Sequence, residues 1–456
     1  MLKDKIIDNL SSPFSRFTDR EALSGILLII CAVVALIWAN SPVGKTYAEL
    51  WHTHLSVRIG DFLIDKPLHI WINDGLMALF FFYVGLEIKQ EIKIGELSDI
   101  QNAMLPFFAA IGGMVIPGLF FYLLNREGAG IAGWGIPMAT DIAFSLGILM
   151  LLGDRVPNSL KVFLTAFAIV DDIGAVLIIA IFYTSGVAWS MLFIALGVLG
   201  FLFILNLLDV RSSTVYFLFG VVIWYFFLQS GIHPTVAGIG VALVIPTNNR
   251  IRMREFAAET RSAVSEFMDA KANATRQFLA KQQLQAISEI EDYVDKVQPP
   301  LQRLEHLLHP YVAFAIMPIF ALANAGIMFK EESANLFSSV TWGIMLGLVV
   351  GKVLGIILFS WLGVRLNLAS LPKGIKWTHL TGIGFLGGIG FTMSLFIANL
   401  AYSDQPGILT SAKTGILIGS TIAAIVGYLI LYFSLSKPSS STEQTALDSV
   451  LEESKR

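Results

Sequence analysis

Charge is scarce in this 456-residue chain: 14% of its residues are Asp, Glu, Lys or Arg, against roughly 25% in soluble domains. Cysteine is scarcer, and the single Cys31 excludes an internal disulfide. No basic stripe offers itself to nucleic acid, and the formal net charge of −3 is uninformative about partners. Apolar residues are abundant, at 55% of the chain with a mean hydropathy of +0.70. Their long runs lack the period-two alternation of barrel strands, which excludes an outer-membrane barrel and leaves helices. Met1 to Glu21 is polar and no small-residue cleavage site follows, so the first run is expected to stay as a span rather than leave as a signal peptide.

About 20 predominantly apolar residues cross a bilayer. By that length the chain predicts an all-α polytopic protein of about twelve spans, near 22–40, 70–92, 101–124, 133–152, 159–183, 188–208, 213–230, 232–246, 309–328, 340–362, 379–401 and 411–435. The eighth is short for a crossing. Basic residues in short connections gather on one side (Lys93, Arg155, Arg211, Arg365 and Lys376 among them), which predicts both termini in the cytoplasm and an even number of spans. Within the extracytoplasmic loop 41–67, Leu55 to Asp65 is β-prone around Gly60-Asp61. Two readings are open there: a hairpin whose edge pairs with a second protomer, or a loop lying on its own protein. Segment 247–303 is charged and poor in apolar residues, and predicts a cytoplasmic helix or helix pair. Residues 1–21 are expected to form a cytoplasmic N-terminal segment, and 436–456 a disordered cytoplasmic tail.

The chemistry lies in the spans. Asp171 and Asp172 stand side by side near the middle of the fifth apolar run. An ionised Asp at a helix centre costs roughly 3 kcal/mol on insertion scales. Such a pair reads as a cation or proton site. Successive helix residues point about 100° apart, so one acid can take a cationic partner while its neighbour lines a cavity. In the fourth span, Pro137 and several glycines interrupt the helix just before Asp141, where Thr140 is expected to N-cap the restarting helix. Lys352 lies deep in the tenth span and needs an internal counter-charge. The eleventh span is dense in glycine at Gly387, Gly388 and Gly390, which either unwind it or allow close packing. Interrupted helices at matching places in spans 3–5 and 10–12, which run in opposite senses, point to a midplane site in an inverted repeat. Three carboxylates and one ammonium, all ionised, carry −2; one monovalent cation leaves −1, whereas two protons in its place reach neutrality. Competition between cation and protons would make the protein an electrogenic exchanger.

These stretches resemble the NhaA-type sodium/proton antiporters of bacterial inner membranes, a family already known for inverted repeats. The resemblance runs from the first span to the twelfth. It is carried by Val84-Gly-Leu-Glu-Ile-Lys, Pro137-Met-Ala-Thr-Asp-Ile-Ala-Phe-Ser-Leu-Gly147, Ala168-Ile-Val-Asp-Asp-Ile-Gly174, Arg303-Leu-Glu-His-Leu-Leu-His-Pro310, Gly351-Lys-Val-Leu-Gly355 and Gly388-Ile-Gly-Phe-Thr-Met-Ser394. It implies that interrupted helices 4 and 11 cross at mid-membrane. Asp172 would be the principal sodium ligand and proton carrier, with Asp171 the second acid, paired with Lys352. Asp141 and Thr140 would lie at the crossing, the acid offsetting helix N-termini and the lysine the C-termini. It further implies that lithium is accepted with sodium, that no cofactor or enzymatic activity is involved, and that a homodimer forms in the bilayer through the first-loop hairpin. Glu87, Glu91, Glu305, His306 and His309 match a pH-sensing cluster; solvated helix ends with ordinary charges are the other reading. Gln90 departs from the arginine of the best-known member, and 247–303 is longer than expected; both bear on activation pH. His233 also matches a family histidine, with a structural role favoured.

Two other functions fit parts of the pattern. An intramembrane aspartyl protease would need acids from different helices sharing a proton, and Lys352 would be superfluous to it. A sodium-coupled solute symporter would need more room and more hydrogen-bonding groups at the break.

Overall fold

The computed structural model describes residues 13–60, 62–184, 186–249, 251–269, 279–328, 338–372 and 374–435. The first part of the predicted N-terminal segment and the whole predicted tail lie outside them. The chain divides into two compact units. One takes the described residues up to Phe80, then Glu91–Gly186, then those from Tyr311 onward. The other takes Phe81–Gln90 and Val187–Pro310.

Nine of the described helices are long and apolar enough to cross a membrane, and two bent pairs would bring the number to eleven. Span four is the pair Ala129–Met138 and Ile142–Met150, bent by 41°; span eleven is Trp377–Gly387 and Phe391–Ala401, bent by 44°. The eighth run forms only a ten-residue helix, Thr235–Val244, which at 1.5 Å per residue covers about half of the hydrocarbon, so the residues flanking it have to complete a crossing. His233 sits at its start, its ring 2.8 Å from the Thr235 hydroxyl.

In the first unit, span three (Ile100–Leu124) packs along span ten (Ser339–Arg365). The contact is made by small residues. Gly347, Gly351 and Gly355 lie four apart and share one face of span ten. A β-carbon on Gly355 would run into the Gly112 carbonyl, and one on Gly351 would come within 2.9 Å of Pro117. Membrane helices approach this closely only where side chains are absent. The approach sets Lys352, the residue after Gly351, into the interior with no exposed surface. A π-helical turn, Gly347–Gly351, immediately precedes it.

The predicted hairpin is present. Strand β1 (His54–Ile59) pairs antiparallel with β2 (Phe62–Pro67), Val57 opposite Ile64. Gly60 adopts φ +61°, a conformation glycine takes without steric cost.

In the second unit, Phe82, Leu86, Leu202, Tyr216, Ile223 and Val241 form part of a buried cluster joining Phe81–Gln90 to the sixth, seventh and eighth helices. Segment 247–303 contributes two amphipathic helices, Met253–Asp269 and Lys281–Val297. They pack on one another, with Ala263 and Ala286 buried. The helix of span nine begins at Pro300, well before the predicted start at 309.

Candidate ion-binding site

Asp171 and Asp172 lie in Asn158–Phe182, the helix of span five, and both are buried. Their directions differ, as the helical period requires. The Lys352 ammonium donates to both oxygens of Asp171, at 3.0 and 2.8 Å. It also donates to the Met138 carbonyl and stands 5.7 Å from the centre of the Phe167 ring. Asp172 is within electrostatic reach of the same ammonium. The lysine therefore serves two needs: it pairs with one buried acid, and it satisfies a carbonyl at the end of Ala129–Met138, where the next turn supplies no amide.

Asp141 does the complementary work. It caps Ile142–Met150, its carboxylate accepting from the Phe144 amide at 3.0 Å. The other oxygen accepts from the Thr392 amide at 3.0 Å and from the Thr392 hydroxyl. One carboxylate thus holds the N-terminal ends of the second halves of both broken spans, where the helix dipole favours negative charge. The Asp141 amide donates to the Ile389 carbonyl at 2.7 Å.

The expectation that Thr140 caps this helix is corrected. Asp141 is extended, with φ −91° and ψ 100°, and is itself the cap. The Thr140 hydroxyl is engaged elsewhere, donating to the Gly387 carbonyl at 2.7 Å. Thr140 remains at the site, for its side chain and amide also lie against Asp171. Both readings of the glycines in span eleven hold. The helix breaks after Gly387, and a β-carbon on Gly387 would come within 2.9 Å of the Phe167 ring.

Sequence reasoning misses three hydroxyl residues here. Thr392 and Ser394 follow the glycine break, in the first turn of Phe391–Ala401, and Ser145 lies one turn after Asp141 on the same helix face. Ser394 donates to the Ile136 carbonyl and Ser145 to the Leu386 carbonyl, each at 2.7 Å. Hydroxyls at those spacings beside a broken helix are the available signal.

The residues matched to a pH-sensing cluster are distributed between the units. In the second unit, Tyr83 donates to Glu87 at 2.7 Å, and its ring centre is 6.0 Å from that of His309. Glu305 is half-buried there and within electrostatic reach of His306 and His309. In the first unit, Glu91 accepts from the Glu96 amide at 3.0 Å. It also lines a cavity of about 300 Å³ with Glu96, Lys161 and Thr165. Thr165 is seven residues before Asp172, on the same face of span five.

A family model described as Na+/H+ antiporter 1 matches residues 15–431. The chain belongs to this Na+/H+ antiporter family. Its similarity to curated members is nearly full-length. It is 48% identical to the Na(+)/H(+) antiporter NhaA of Oleidesulfovibrio alaskensis, over 93% of this chain and 94% of that one. It is 50% identical to that of Acidithiobacillus ferrooxidans, over 92% and 97%. It is 44% identical to NhaA 1 of Saccharophagus degradans, over 94% and 93%. As an NhaA-family member, it is a multi-pass membrane transporter and not an enzyme.

Proposed function

We propose that the chain exchanges cytoplasmic sodium or lithium for external protons by alternating access, electrogenically and under control by pH, in the inner membrane of a bacterium with both termini in the cytoplasm. It thereby serves sodium and pH homeostasis. The observation that carries this reading is the buried Lys352–Asp171 pair beside Asp172, at the break of two spans.

Ionised carboxylates are costly to hold out of water unless a counter-charge meets them. Lys352 meets one. Asp172 is the acid next to it, and a small alkali ion or a proton can serve it equally in the electrostatic sense. Asp171 becomes available only as Lys352 withdraws or as protons arrive. A site of this kind accepts a cation or its protons but not both sets together. That competition is the exchange. With two protons against one cation, each cycle moves net charge.

Three finer assignments go with this reading. Asp171, Asp172, Asp141 and Thr140, with Lys352, carry the ions. Glu87, Glu91, Glu305, His306 and His309 sense pH. The exposed hairpin pairs two copies into a homodimer. Adding sodium to purified, proton-loaded protein should release protons from the wild type and none from Asp172→Asn. Undiminished release from Asp172→Asn would remove that acid from the site.

A further inference from the structure

Four main-chain carbonyls at the ends of the first halves of the broken spans are met by side-chain donors. Lys352 serves Met138, Thr140 serves Gly387, Ser145 serves Leu386 and Ser394 serves Ile136. A carbonyl in an apolar interior has no water to fall back on. Each of the three hydroxyls comes from the other broken span, so the halves are tied crosswise.

The two serines are not equivalent. Leu386 also accepts from the Ile389 amide at 3.1 Å, so it keeps a donor without Ser145. Ile136 is given its hydrogen bond by Ser394, whose side chain is wholly buried. The Ser394 hydroxyl fills the space that a β-carbon on Gly390 would occupy. Two residues earlier, Thr392 holds Asp141.

We infer that Ser394 is a positioning residue for the exchange: by holding the Ile136 carbonyl it cancels a helix-end dipole near the acids, and so sets the balance between protons and cation. This rests on the exchange reading above, with two protons against one cation. The charged groups of this region are Asp141, Asp171, Asp172 and Lys352. The Tyr402 and Tyr183 phenols donate to the Gly130 and Ala132 carbonyls further back along the same segment.

Removing the hydroxyl leaves the negative end of a dipole uncompensated, which favours every positive charge at the site. Two protons gain twice what one sodium ion gains. Ser394→Ala should therefore raise the half-saturating sodium concentration on the acid side and lower it on the alkaline side. The curves of half-saturation against pH should cross while the maximal rate stays close to wild type. A neutral hydrogen bond changes an equilibrium by about two- to ten-fold, which bounds the displacement at either extreme.

The test is sodium-driven proton movement in vesicles holding the full chain, measured as half-saturation and maximal rate from acid to alkaline pH. Ser394→Cys, with a weak donor, should cross less widely; it carries the test alone if Ser394→Ala does not fold. Ser145→Ala should stay within about two-fold of wild type throughout. A Ser394 variant whose curve runs parallel to wild type would overturn the inference, as would a Ser145→Ala curve matching it. Wild-type vesicles without exchange would overturn the functional reading, and the serine's role with it.

Discussion

Lys352 and Asp171 carry opposite charges with no solvent access, 181 positions apart in the chain. Breaking such a pair by removing one partner costs about 3–5 kcal/mol, whereas neutralising both is far less costly. Lys352→Met should therefore lower the thermal unfolding temperature of purified protein sharply, and combining Lys352→Gln with Asp171→Asn should recover most of it. A double variant no more stable than Lys352→Met would mean that the charges are not coupled as described. The acids and the lysine were legible in the sequence because ionisable residues inside long apolar runs are rare. Their partners were not. Thr392 lies 251 positions from the Asp141 it serves, and Ser394 lies 258 from Ile136. A serine or threonine in an apolar helix gives no hint of which carbonyl or carboxylate will face it.

At the scale of elements, the close approach of spans three and ten is what delivers the lysine. Gly355→Ala would drive a methyl group into the Gly112 carbonyl. Overpacking of this kind costs about 1–3 kcal/mol, and a main-chain obstacle cannot swing aside. Gly197, in span six, has open space for 4 Å around the place a β-carbon would take, so Gly197→Ala should hold or gain stability through helix propensity alone. Equal losses in thermal stability for the two variants would remove the packing explanation. In the hairpin, the Ser56 hydroxyl and then the His54 ring hold the exposed Asp65 carboxyl below its ordinary range. A carboxyl lowered in the folded state adds stability above its unfolded value and loses it as pH falls. Amide exchange in the two strands should thus be slower in wild type than in Asp65→Asn at neutral pH, with the gap closing in acid. The breaks in spans four and eleven were legible from Pro137 and the glycines. The cap was misplaced by one residue because Thr140 and Asp141 are both good capping residues, and the competing claim of the Gly387 carbonyl on Thr140 lies in another part of the chain.

At the scale of the whole molecule, apolar length alone gave the number and order of the runs. It overestimated only the eighth, whose helix stops at ten residues. In the proposed function, what turns those runs into a transporter is two interrupted spans whose ends meet the Asp141 carboxylate and the Lys352 ammonium, next to the Asp171–Asp172 pair. The central claim is that protons and an alkali ion compete for this buried acid pair. Collapse of an imposed pH gradient by added sodium, lithium or potassium, in vesicles of wild type and Asp172→Asn, tests it most directly. Sodium and lithium are expected to collapse the gradient in wild type, with the variant inert. Wild type without alkali-driven proton movement at any pH, or a variant as active as wild type, would contradict it.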